Sequence, residues 1–189
     1  MIHNIFAIEL CLRIEPGSAL RDELKELIVS HPDASTPGLK WELLKAASSK
    51  LAANLHLVDR GCWDFFDDDG RALRDYDMWS KGMTTEEGAR KAPSGPPGSD
   101  GAPRFMTFTC ALLIKAHTPC ARKLSELCDI PEADLWRRGT FARILRGLTC
   151  VSFAAVKSDI FYLIPGDASW GLTAEDLEQE KFAYFRQLQ

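Results

Sequence analysis

Phe6, Ile8, Leu10, Leu12 and Ile14 alternate with Ala7, Glu9, Cys11 and Arg13. A period of two with one polar face predicts a half-buried strand over Phe6 to Ile14. Glu15-Pro16-Gly17 ends it. Ser18 can cap a helix running to about Val29, with Leu20, Leu24, Leu27 and Ile28 on its apolar side. His31-Pro32-Asp33 breaks that helix. Thr36-Pro37 starts another, in which Leu39, Leu43, Ala47, Leu51 and Leu55 recur every four residues to about Val58.

From Gly61 the pattern dissolves. Six aspartates between Asp64 and Asp77 mix with Trp63, Phe65, Phe66, Tyr76 and Trp79, so residues 61–103 read as an irregular insertion. Inside it, Thr84 and Glu87 have capping-box spacing, and Ala92 to Pro103 is a Gly/Pro-rich loop by composition. A second strand follows from Phe105 to Ile114. It is apolar on both faces and is therefore expected at the centre of a sheet.

Thr118-Pro119 repeats the earlier helix start and opens a helix carrying Cys120, Leu124, Leu127 and Cys128. Asp129-Ile130-Pro131-Glu132 starts the next, with Phe141, Ile144, Leu145 and Leu148 as its apolar arc. Thr149–Val156 and Ile160–Ile164 read as β runs split by Lys157-Ser158-Asp159, and the chain closes in a helix from about Ala174. Thr173 and Asp176 resemble its capping box, and Leu172 with Leu177 has staple spacing.

The order is β-α-α, a long loop, β-α-α-β-(β)-α. It predicts an α+β fold in one domain over residues 1–189, with a small, mostly antiparallel sheet of three to four strands packed with helices. A strand followed by Thr-Pro-capped helices occurs twice and suggests a pseudo-repeat.

The 189 residues are 46 % hydrophobic and 26 % charged, with a net charge of -4. This is ordinary for a globular domain that hides roughly 70 % of its unfolded surface. It argues against a disordered tail, a collagenous chain and a strongly basic nucleic-acid binder. No apolar run approaches the ~20 residues of a membrane span, and the start lacks a basic signal region, so a cytoplasmic location is expected. The six cysteines form no C-x-x-C pair, which predicts free thiols and no zinc or iron–sulfur site.

Candidate chemistry is sparse. Asp67-Asp68-Asp69-Gly70 suggests calcium, yet Phe65 and Tyr76 stand where the first and twelfth ligands of an EF-hand loop belong. An Asp-rich turn is the plainer reading, and neither a metal nor a cofactor is expected. His117 lies three residues before Cys120 at a helix start, where a thiol pKa can fall; packing against Leu124 is the alternative. Turned at 100° per residue, Trp136, Arg143 and Arg146 fall away from Phe141 and Leu148. They form a candidate surface for a protein partner, or for nucleic acid, which the negative charge disfavours. No phosphate loop, dinucleotide fingerprint, zinc-protease motif or nucleophile elbow is present.

Three stretches carry a resemblance. They are Ile8–Leu12 with Asp33–Leu39 leading into Leu43-Leu44, then Thr85–Lys91, then Ile160–Pro165 followed by Leu172–Leu177 and Leu188. They resemble an uncharacterised family best known from cyanobacterial and chloroplast proteins, often membrane-anchored ahead of a soluble domain. Gly88-Ala89 departs from the more charged run of that pattern. The resemblance implies a single-domain architecture, and no reaction or catalytic residues. Ordinary composition, abundant aromatics over Asp64–Trp79 and the lack of a coherent catalytic set make the leading functional expectation a non-enzymatic interaction or regulatory module that self-associates or takes a protein partner. An enzyme or small-ligand binder with a pocket near His117 and Cys120, or near Asp67–Asp69, comes second. A binder of nucleic acid or an anionic surface through Trp136, Arg143 and Arg146 comes third.

Overall fold

The computed structural model describes residues 2–15, 17–31, 36–82, 102–166 and 171–189. Among them five strands form one antiparallel sheet: β1 (His3–Ile14), β2 (Val58–Phe66), β3 (Arg104–Lys115), β4 (Val156–Ile164) and β5 (Arg186–Gln187). Their order is β4-β3-β1-β2-β5, so the fold is α+β with five strands rather than three or four. The helices are α1 (Leu20–Ser30), α2 (Pro37–Ala53), α3 (Asp69–Gly82), α4 (Pro119–Cys128), α5 (Arg138–Gly147) and the single turn α6 (Ala174–Leu177). The expected Thr84–Glu87 helix and most of the Ala92–Pro103 loop lie outside the described residues.

The alternation in β1 places its apolar row in the core, but the strand is buried on both faces rather than half-buried, because α3 and the C-terminal segment cover the row of Ala7, Glu9 and Cys11. Phe6, Ile8, Leu10 and Leu12 join the main core, where α1, α2, α4 and α5 pack through Leu24, Leu43, Leu51, Leu124, Phe141 and Ile144. Both Thr-Pro starts are real caps, since Thr36 Oγ1 accepts from the Leu39 N–H and Thr118 Oγ1 from the Ala121 N–H. The pseudo-repeat is present as two β-α-α-β halves meeting at the β1–β3 pair, with Ala7 opposite Ala111. The Thr-Pro pairs do not mark it, because one opens the second helix of its half and the other opens the first.

Several expectations need correction. The stretch read as irregular from Gly61 holds β2 and α3. A bulge opposite Cys11/Leu12 puts Val58 and Gly61 on the same face three residues apart, which breaks the period-two pattern. Gly61 is there because a Cβ would meet the Phe141 ring at 2.8 Å. Lys157-Ser158-Asp159 is no turn. It lies within β4, where Asp159 accepts from Lys40 of α2 at 2.9 Å and Ser158 accepts from Tyr76 at 2.7 Å. Leu148–Cys150 is a 3-10 turn rather than strand, and α5 starts at Arg138 rather than near Glu132. The closing helix stops after one turn although its Thr173–Asp176 capping box forms, and β5 then pairs with Arg60 and Gly61 of β2.

The second sheet face is covered in two pieces. Ala72, Tyr76 and Trp79 lie on one stripe of α3 and pack on Ile5, Ala7, Ala111 and Leu113. Leu177, Phe182 and Phe185 of the C-terminal segment pack on Cys11, Cys62, Phe105 and Ile164. Trp79 and Tyr184 join the two covers in a T-shaped pair with ring centroids 6.1 Å apart. No helix among the described residues is long and apolar enough to cross a membrane.

Candidate functional site

A polar row crosses this second face. The strand register aligns Tyr162 of β4 with Thr109 of β3, Thr109 with Glu9 of β1, and Glu9 with Cys62 of β2. On β1, whose neighbours on both sides are strands, Glu9 cannot reach solvent along the sheet plane. The covers of α3 and the C-terminal segment do the rest, leaving it 1 % exposed. The sequence marks Glu9 as the polar face of a half-buried strand; the structure makes it the most enclosed acid of that face.

Above Glu9, between the two covers, lies a cavity of about 660 Å³. Its aromatic wall comes from Trp79, Tyr162, Phe182 and Tyr184, with Trp63 and Trp136 also on its lining. The volume is that of an ordinary small-molecule site, and the surface is mostly apolar although seven charged side chains lie on its lining. The Tyr184 hydroxyl donates to Glu9 Oε2 at 2.8 Å. Burial raises the Glu9 pKa from 4.5 to about 7, opposed by the hydrogen bond from Tyr184 and by the nearby Thr107 and Thr109 hydroxyls. Both threonine hydroxyls are buried, and neither reaches a partner with good hydrogen-bond geometry. Tyr184 and Tyr162 are pushed upward, chiefly by burial and then by the Glu9 charge, and so is Cys62.

No cation pairs with Glu9 among the described residues, although four line the cavity. Arg71 binds Asp75 and stacks 3.2 Å over the Phe66 ring. Lys81 pairs with Asp77 at 2.5 Å, Lys181 lies over Phe182, and Arg186 donates to the Ala183 and Phe185 carbonyls.

The residues singled out from sequence lie elsewhere, with one exception. Trp136 lines the cavity, and it does so from the turn before α5 rather than from a helix face shared with Arg143 and Arg146. Arg143 is exposed and donates to the carbonyls of Leu127 and Asp129, and Arg146 is exposed on the same helix. Cys120 is buried in the main core and receives the Ser152 N–H at 3.4 Å. Burial raises its thiol pKa, against the lowering that a helix start can give. His117 is exposed, with a left-handed φ of 61°. Asp68 caps α3 through the Arg71 N–H at 2.7 Å, and Asp69 accepts from the His3 N–H and Nδ1. Among the described residues no group of three or more His, Cys, Asp or Glu could hold a metal.

One signal for Glu9 was in the sequence: a charged residue facing Thr109 and Thr107 across two long, otherwise apolar strands. No family model matches this chain, and no curated protein or solved structure matches it.

Proposed function

We propose that this chain is a small-ligand-binding domain and that the cavity over Glu9 is its site. The observation that carries this reading is a carboxyl 1 % exposed at the floor of an aromatic-walled cavity, with the Tyr184 hydroxyl as its hydrogen-bonded partner among the described residues. Such a group costs stability where it sits, and acids are rarely buried without a cation. A binding role accounts for its presence where packing does not. The small-ligand alternative drawn from the sequence thereby takes the lead, at a different place from His117, Cys120 or Asp67–Asp69.

The test is amide chemical-shift mapping against a library of small fragments. Hits are expected to move Ile8–Leu10, Trp79 and Tyr184 together. Hits confined to other surfaces, or no hits at all, would count against the site.

A second reading keeps the interaction-module expectation. β4 ends the sheet with nine residues on its outer side, an edge that a second copy could pair with. Sedimentation equilibrium showing a monomer at all accessible concentrations would remove it.

A further inference from the structure

Resting on the cavity reading above, we infer that the ligand is a small organic ammonium ion, its N–H groups directed at Glu9 and its body held among Trp79, Tyr184, Tyr162 and Phe182. Two independent features point to a cation. The first is the unpaired acid. Glu9 is buried with Tyr184 as its hydrogen-bond donor and the Thr107 and Thr109 hydroxyls nearby, no positive side chain among the described residues reaches it, and each of the four cations on the cavity lining already has a partner on the protein. The missing partner of a buried carboxylate is a positive charge, and among the described residues no side chain supplies one to Glu9, which leaves the place for a guest.

The second is the wall. Trp79, Tyr162, Phe182 and Tyr184 line the cavity, and Trp79 and Tyr184 meet edge to face at 6.1 Å between ring centroids. Aromatic faces attract a cation through their quadrupoles, by more when it is desolvated, and they give an anion nothing comparable. A neutral apolar guest would use the wall and leave the carboxyl unsatisfied. An anion would meet Glu9 directly.

Protonation of Glu9 then competes with the guest. The groups facing it are Tyr184 from the C-terminal segment, Thr107 and Thr109 from β3, Tyr162 from β4 and Cys62 from β2. The charged groups around the cavity are Asp64, Arg71, Asp75, Lys81, Lys181 and Arg186. The tyrosines and Cys62 are pushed upward and stay protonated between pH 6 and 8. Asp64 is also raised by burial, so the control is the exposed Glu26 on α1, on the other side of the sheet.

The experiment is calorimetric titration of the full chain with phenethylammonium and with its neutral isostere 2-phenylethanol, at pH 6 and pH 8. The ammonium is expected to bind at least 10-fold tighter than the alcohol at pH 8, and to weaken about 10-fold at pH 6 as Glu9 takes its proton. Glu9→Gln should erase both differences; Glu26→Gln should leave both intact. Equal binding of the two probes, or a preference that survives Glu9→Gln, would overturn the cation assignment while leaving the cavity as a ligand site. If neither probe binds, the cation assignment falls; if the fragment mapping is also silent, the cavity reading falls with it.

Discussion

Tyr184 donates its hydroxyl proton to Glu9 Oε2 at 2.8 Å across 175 residues of chain. That bond ties the C-terminal segment to the first strand and closes one side of the cavity. It leaves the acid itself poorly compensated, because one neutral donor does not replace the water a carboxylate loses on burial.

The first prediction concerns pH. In the unfolded chain Glu9 releases its proton near 4.5, whereas in the fold it holds it to about 7. Below 4.5 both states are protonated and the acid costs nothing extra. Between 4.5 and 7 the folded state binds the additional proton, so stability drains away as pH rises, by about 3 kcal/mol in total. Glu9→Gln should therefore be more stable than the parent at pH 8 and close to it at pH 4.5. Urea unfolding of both proteins across that range measures the difference. A variant less stable than the parent at pH 8 would show that the carboxylate is well compensated.

The second concerns the Lys40–Asp159 pair, which joins α2 to the edge strand at 2.9 Å with both side chains largely buried. Asp159→Asn breaks this pair and should cost about 3 kcal/mol. Lys40→Met with Asp159→Leu should recover most of that loss, since neither charge then needs solvation. Chemical denaturation of the single and double variants tests this. A double variant as unstable as the single would assign the site a stabilising role beyond charge balance.

A third prediction lies at Gly61. Gly61→Ala pushes a Cβ to within 2.8 Å of the Phe141 ring and 3.2 Å of Leu10. β2 and α5 would have to separate, at a cost of about 1 to 3 kcal/mol. Thermal unfolding should show the drop. Combining it with Phe141→Leu, which vacates the space, should make the alanine less costly than it is alone.

Thiol labelling supplies the fourth. Cys11, Cys110 and Cys120 are buried, while Cys128 and Cys150 are partly exposed. Iodoacetamide at pH 7.5 should modify Cys150 and Cys128 first and reach Cys120 only as the fold opens, as followed by peptide mass spectrometry. Cys120 reacting fastest would revive an activated thiol at that helix start.

Much of the scaffold was legible in the sequence, and particular residues show why. β1 and β3 announced themselves because their alternation is uninterrupted, and Thr36 and Thr118 because a hydroxyl before proline has few uses besides capping. β2 stayed hidden because its bulge and Gly61 erase the repeat over the few residues in which a strand must be recognised. α3 stayed hidden because its buried stripe is only Ala72, Tyr76 and Trp79 amid aspartates. The site was the least legible part. Glu9 looks solvent-facing within its own strand, and only a helix some 70 residues later and a tyrosine 175 residues later enclose it. Local pattern cannot report a neighbour at that range, although placing β3 at the sheet centre beside β1 would have flagged Glu9.

The pairing of Ala7 with Ala111 at the middle of the sheet also governs time. β1 can find β2 after closing a loop of about 50 residues, but its other neighbour is twice as far along the chain, and Tyr184 farther still. Folding dominated by such distant pairings runs in milliseconds to seconds rather than microseconds. Until β3 docks, the apolar row of β1 keeps one flank open.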